Sequence, residues 1–364
     1  MEFIKETDMK NIILLFLGLL SLSMVWGQSF VGRDTLKTEI LPNSGRRIVV
    51  ENEQELAAAL AIPGASVEIK SNTNILLTST IEVAKGVHLN GNNNTVAAVG
   101  TDFVMFLWQP GVNHCLFENL YLVGQSSSAV NKAFVKSNVG IQLDRAYQNV
   151  FQNLHFSNFS GACMTFQGAL SDDPYSHRAM VLGCSFSNSF VGISHTDRYE
   201  YSMVSTCFFS RCRVGLLGNS GNWNVTGNTF VTCATPFLSI AETTPYGTLS
   251  TDNWGHGIFS ANKVEHSASG GGIRWFQNLG FPVGDGLFTE TGGVHIEGVI
   301  PPTMASNSFY FSNLKFNDPN TVGHIHYVNA STFQHSTISC NIPDRIKINA
   351  CNLREEVVLE DVSP

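Results

Sequence analysis

No run of basic residues occurs anywhere in this chain, and charge is scarce altogether, at 14% Asp, Glu, Lys and Arg. A missing basic block argues against nucleic acid as a partner. The net charge of −8 also argues against long-range attraction of an anionic polymer, so an anionic ligand would need local Arg, Lys or metal to hold it. Long apolar runs are equally rare. The single one, Ile12 to Leu22, follows Lys10 and precedes Val25-Trp-Gly27. It is too short and too early for a membrane span. It reads as a secretory signal peptide of bacterial look, cleaved after Gly27, with Met9 as an alternative start. No cysteine stands at the cleavage point, so no lipid anchor is expected. The mature chain is expected to be secreted or periplasmic, without membrane insertion. There is no Cys-x-x-Cys pair, no Cys/His metal spacing and no nucleophile elbow, which removes zinc-module and serine-hydrolase readings.

What the chain has instead is repetition. Phe117-Glu-Asn-Leu-Tyr-Leu returns as Phe151-Gln-Asn-Leu-His-Phe and as Phe311-Ser-Asn-Leu-Lys-Phe. Between them come Gly183-Cys-Ser-Phe-Ser-Asn, Thr206-Cys-Phe-Phe-Ser-Arg and Gly227-Asn-Thr-Phe-Val-Thr. Cys184 and Cys207 are 23 residues apart, and Cys207 and Asn228 are 21 apart. A period of that size, with a small polar residue ahead of alternating apolar ones, predicts a solenoid. Each repeat is too small to bury its own apolar face, so copies must stack.

Before the repeats, Ile48-Val-Val50 reads as a strand. Asn52 with Glu55 three residues on forms a capping box, and Pro63-Gly64 stops the short helix that follows. Such a helix covers the open end of a solenoid. The segments Glu55-Leu-Ala-Ala-Ala, Pro63-Gly-Ala-Ser-Val-Glu-Ile, Ile81-Glu-Val-Ala-Lys-Gly-Val-His-Leu-Asn-Gly and Asn94-Thr-Val resemble the start of the right-handed parallel β-helix of the pectate-lyase-like superfamily. The later repeats resemble its coils, and the likeness covers roughly residues 48–350. It implies an all-β, right-handed parallel β-helix with three-strand coils and a short N-terminal capping helix. The expected organisation is signal peptide 1–27, lead-in and cap 28–64, β-helix 65–353 and tail 354–364. The resemblance also implies a ladder of turn asparagines, matched here by Asn119, Asn153, Asn228, Asn262 and Asn313, with Cys184 and Cys207 in two coils. Phe156, Phe186, Phe209 and Phe230 are expected to stack inside. Cys184/Cys207 and Cys212/Cys233 occupy matching repeat positions and read as a ladder of buried thiols, with rung-to-rung disulfides as the alternative. Cys340 and Cys351 are candidates for a C-terminal staple.

First strands near Gly140-Ile141, Ala162-Cys163, Gly192-Ile193, Gly215-Leu216, Pro236-Phe237 and Gly272-Ile273 would align one face. Two long insertions, Ala169–Arg178 and Glu242–His256, fall beside it. Unusual residues collect there. His195, Tyr199, Arg198 and Arg274 are the candidate catalytic set: a base, an acid and cationic clamps for elimination beside a uronic-acid carboxylate. Asp144, Arg145, His177, Arg178, Asp197, Trp223, Asp252, Trp254, His256 and Trp275 are candidates for sugar binding, through aromatic faces and directed hydrogen bonds.

These readings converge on a secreted polysaccharide lyase acting on an acidic glycan, with polysaccharide as the partner. A non-catalytic glycan-binding or adhesive β-helix is the first alternative and a glycoside hydrolase the second. The hydrolase motif order, Asp172-Asp173, Gly255-His-Gly257 and Arg345-Ile-Lys347, is present. Its gaps of 82 and 88 residues keep the motifs about four coils apart. Calcium is allowed by acidic side chains on adjacent rungs, though no cluster demands it. His324-Ile-His326 and His295-Ile-Glu297 lack a third zinc ligand and read as solvent-facing strand residues.

Overall fold

A computed structural model describes residues 47–125, 134–168, 178–196, 199–218, 222–239, 244–247, 257–268, 272, 291–297, 303–317, 325–342 and 346–361. The expected signal peptide and most of the two insertions lie outside these residues. Strand is the dominant regular structure among the described residues. It forms one sheet of 20 strands and one of 11. Neighbours run parallel and in register, as at Met180↔Met203, Phe186↔Phe209 and Val191↔Val214. This topology fits a parallel β-helix.

Alternation explains the strands. In Ser185–Ser187 only Phe186 points inward, and the partner strands repeat the pattern. The expected phenylalanine stack is present. Ring centroids are 5.1 Å apart for Phe156/Phe186, 4.7 Å for Phe186/Phe209 and 4.6 Å for Phe209/Phe230. The Gly-Ile repeats belong to the same packing. A Cβ at Gly192 would lie 2.5 Å from the Gly215 carbonyl oxygen and 2.9 Å from the Phe209 ring. Glycine is therefore the residue that lets the smaller sheet approach the rings.

Corners are single residues in the left-handed region. One row comprises Asn119, Asn153, Gly183, Thr206, Gly227, Ala261 and Ser306, with φ between 51° and 66°. The residue after each corner turns inward. There the asparagine ladder forms: Asn228 Oδ1 accepts from Cys207 N (2.9 Å), Asn262 Oδ1 from Asn228 N (3.0 Å) and Asn307 Oδ1 from Asn262 N (3.0 Å). These bonds satisfy corner backbone groups that no strand partner can reach. Three asparagine assignments change. Asn119 and Asn153 sit one position earlier, on the corner itself, and bond to each other (2.8 Å). Asn313 belongs to the strand Asn313–Asn317 of the smaller sheet, and Asn307 takes the ladder place. Asparagine suits both the left-handed corner and the ladder, so spacing alone does not separate them.

All eight cysteines are thiols, and the C-terminal staple is absent. Cys340 Sγ donates to the Ile342 carbonyl and Cys351 Sγ to that of Val328 instead. At the N-terminal end the helix Glu53–Leu60 is capped as expected. Asn52 accepts from Glu55 N (3.0 Å), and Glu55 accepts from Glu51 N (2.8 Å). Leu56 and Leu60 are fully buried beneath it. Within the C-terminal tail, Val358–Asp361 pairs with Thr337–Cys340 in the smaller sheet. A second apolar cluster, separate from the main core, joins Val139, Ala162, Val191, Val214, Leu217 and Leu238 of the smaller sheet to Phe190, Tyr246 and Phe134.

Candidate functional site

The segment Val191–Thr196 carries the expected base, His195. Its register partners are Phe166 on one side and Gly218 on the other. That row faces the core, so the ring is fully buried. It stacks on Trp223 with centroids 4.2 Å apart and planes 23° apart, and Phe237 lies 6.5 Å away. A Cβ at Gly218 would fall 2.1 Å from the imidazole, so the missing side chain makes the space for the ring. Burial pushes the His195 pKa down to about 3. The imidazole is neutral at physiological pH and a weak base.

Tyr199 and Trp223 are buried with it. The indole Nε1 donates to the Tyr199 carbonyl, and Phe166 packs 5.1 Å from Tyr199 and 5.3 Å from Trp223. Burial pushes the Tyr199 phenol well up. These three residues form an aromatic plug inside the coil, where no polymer can lie. His195 keeps the inward parity of Ile193, two residues earlier on the same strand, and pairs with core-facing Phe166, so alternation itself turns the ring away from any groove.

The other candidates separate. Asp144 and Arg145 pair with each other at the surface, Arg145 Nε to Asp144 Oδ1 being 2.9 Å. Arg178 is an exposed corner residue with φ 48°, its backbone N–H donating to the Glu200 carbonyl. His177, Asp197, Arg198, Asp252, Trp254, His256, Arg274 and Trp275 lie outside the described residues. Among the described residues no three His, Cys, Asp or Glu side chains come together as a metal site. His326, expected to face solvent, is buried 4.5 Å from the Phe316 ring, and His295 is buried as well. His295 lies on a strand buried on both faces, whereas His326 shares the inward side of its strand with Val328 and leaves Tyr327 exposed between them.

A different surface stands out. Leu116, Val150, Met180, Met203, Asn224 and Ile258 pair in one unbroken row on the outer side of the larger sheet. Five of the six are apolar, and Ile258 is 39% exposed. At about 4.8 Å per rung the row spans roughly 24 Å. Tyr201, at the adjoining corner, is 58% exposed. A signal for it exists in the sequence. Leu116-Phe117, Val150-Phe151, Met180-Val181, Met203-Val204 and Ile258-Phe259 are apolar doublets where alternation asks for one apolar residue. A flat, uncharged row with two methionines cannot do acid–base chemistry. It can exclude water against another apolar surface.

The sequence model of the family described as Adenovirus EB1 55K protein / large t-antigen matches residues 46–245. That is more than half of the 364 residues, beginning just ahead of the first described strand and ending just before Tyr246. No curated protein matches the chain. The family match overturns the polysaccharide-lyase reading, its glycan-binding and hydrolase alternatives, and the bacterial assignment. The polysaccharide partner and the exclusion of nucleic acid are withdrawn with them. Both rest on bulk charge and on a fold that hosts unrelated activities. Over the span of that match the repeats, cap and buried plug form one continuous structure, and the chain belongs to the adenovirus EB1 55K protein / large t-antigen family.

Proposed function

We propose that this chain is a non-catalytic scaffold that binds another protein along the row Leu116, Val150, Met180, Met203 and Ile258. The row itself carries the reading: Val150 is buried, but Leu116, Met180 and Met203 are half-buried and Ile258 is 39% exposed, and side chains of this kind gain free energy when a partner removes their remaining surface from water. The burial of His195 and Tyr199 in the plug supports a role without chemistry at those residues. Four of the five row residues fall within the span of the family match.

The finer architecture is part of the same proposal. A right-handed helix with three strands per coil accounts for two further rows of left-handed corners, one at Asn158, Asn188, Arg211 and Thr232 and one at Gln148, Arg178, Tyr201 and Asn222. Right-handedness follows from the near-universal hand of parallel crossovers. Export through the leader at 1–27 also belongs to the proposal, and the mass of the mature N-terminus tests it.

The binding test places a photo-crosslinking amino acid at Met203, on the row, and at Lys263, exposed between Thr229 and Ser308 on the neighbouring outer row. Partner proteins should crosslink from position 203 and not from 263. Affinity for the recovered, purified partner should fall at least about tenfold in Met180→Lys/Met203→Lys, roughly 1.4 kcal/mol. Unchanged affinity in a folded double variant would remove the proposal.

A further inference from the structure

The two ends of the coil stack are unlike. At the N-terminal end the helix Glu53–Leu60 closes the core, and Leu56 and Leu60 have no exposure. At the C-terminal end three interior columns run out into solvent. The column Phe230, Val264, Phe309 and Phe333 ends at Leu353. Phe333 is fully buried, whereas Leu353 is 43% exposed. The column Val294, Leu314 and Ile338 ends at Leu359. There Ile338 is 2% exposed and Leu359 59%. The column Met304 and Val328 ends at the half-buried Ile348. The last strands, Ile346–Asn349, Asn352–Leu353 and Val358–Asp361, pair with the preceding rung and with no further strand among the described residues.

We propose that this open rung docks a second copy of the chain, C-terminal end to C-terminal end about a twofold axis. The surface is a cross-section through the chain's own core. Its counterpart must offer apolar ends with the same layout and strand edges ready to pair. The same rung of another copy offers both. The closed N-terminal end forbids head-to-tail stacking, so the contact is the same patch on both partners and assembly stops at two. A strand of the end rung that lies across the twofold axis meets its own copy antiparallel, the commoner pairing.

Light scattering of the full chain across a hundredfold concentration range tests this. Twice the 39.7 kDa chain mass is expected at the upper end. Leu353→Lys/Leu359→Lys should halve the mass without changing the far-ultraviolet circular dichroism. Leu76→Lys, at a site 60% exposed near the other end, should leave the dimer intact. Hydrogen exchange reads the same interface without a variant. Amides in 346–349 and 358–361 should gain protection as concentration rises. A monomer at every concentration, a dimer indifferent to the double variant, species that keep growing, or protection independent of concentration would each overturn the proposal. None of these outcomes bears on partner binding along the Met180/Met203 row.

Discussion

The outer faces of the two sheets are built from the same kind of strand, yet one is covered and the other open. On the smaller sheet Leu217 and Leu238 lie under Phe134, Phe190 and Tyr246, with Phe134 5.1 Å from Phe190 and 5.9 Å from Tyr246. That face has become a second core. On the larger sheet Met180, Met203 and Ile258 have no comparable cover among the described residues and keep part of their surface in water. Identical apolar chemistry thus stabilises the fold in one place and is left available for binding in the other. What decides is whether a connecting segment crosses the face.

Substitutions across the interior and the two faces can break this contrast. The largest effect is expected inside, at the plug. Trp223→Ala removes a fully buried indole stacked on His195 and should cost about 3–5 kcal/mol in denaturant unfolding. Leu217→Ala, on the covered face, should cost about 2–4 kcal/mol. A cost near zero would mean that the second cluster is not packed. Acid gives an independent reading of the interior. The folded His195 pKa is about 3, below the ordinary value of 6.5. The unfolded chain therefore binds the proton first. Stability is full above about pH 6.5 and falls progressively as pH drops toward 3. His195→Phe should flatten the melting-temperature decline between pH 7 and pH 4, and an unchanged decline would place the titration elsewhere. Removing the N-cap, Asn52→Ala, should cost about 1 kcal/mol. Met203→Ala, on the open face, should change stability least, by under about 1 kcal/mol, while weakening partner capture. If Met203 proved as costly as Leu217, the two faces would be alike and the open row would be core.

Much of the fold was legible in advance, because its signals are local. Asn52 and Glu55 define the helix start by three-residue spacing, and Phe186, Phe209 and Phe230 mark the stack by a period of about one coil. Asn307 and Asn313 show where that legibility stops. Both are preceded by a serine in a repeat-like context, and only the strand pairing tells which one enters the ladder. The candidate site was less legible. His195, Tyr199 and Trp223 have the composition of a reaction centre, but burial depends on Gly218 opposite the imidazole, a relation between two coils. The row at Met180 and Met203 left a trace as apolar doublets, which match an overfilled strand as well as an exposed one.

By itself, then, the sequence determined a stack of short repeats, a capped first turn and interior phenylalanine and thiol columns. Those follow from side-chain periodicity and local spacing, which the repeats carry whole, while the parallel coils and the asparagine ladder entered through the family resemblance. Only the tertiary structure decided which polar residues are buried, which apolar rows stay open and that the last rung ends bare. Exposure is a property of what lies across a surface, and the residues on that surface do not encode it.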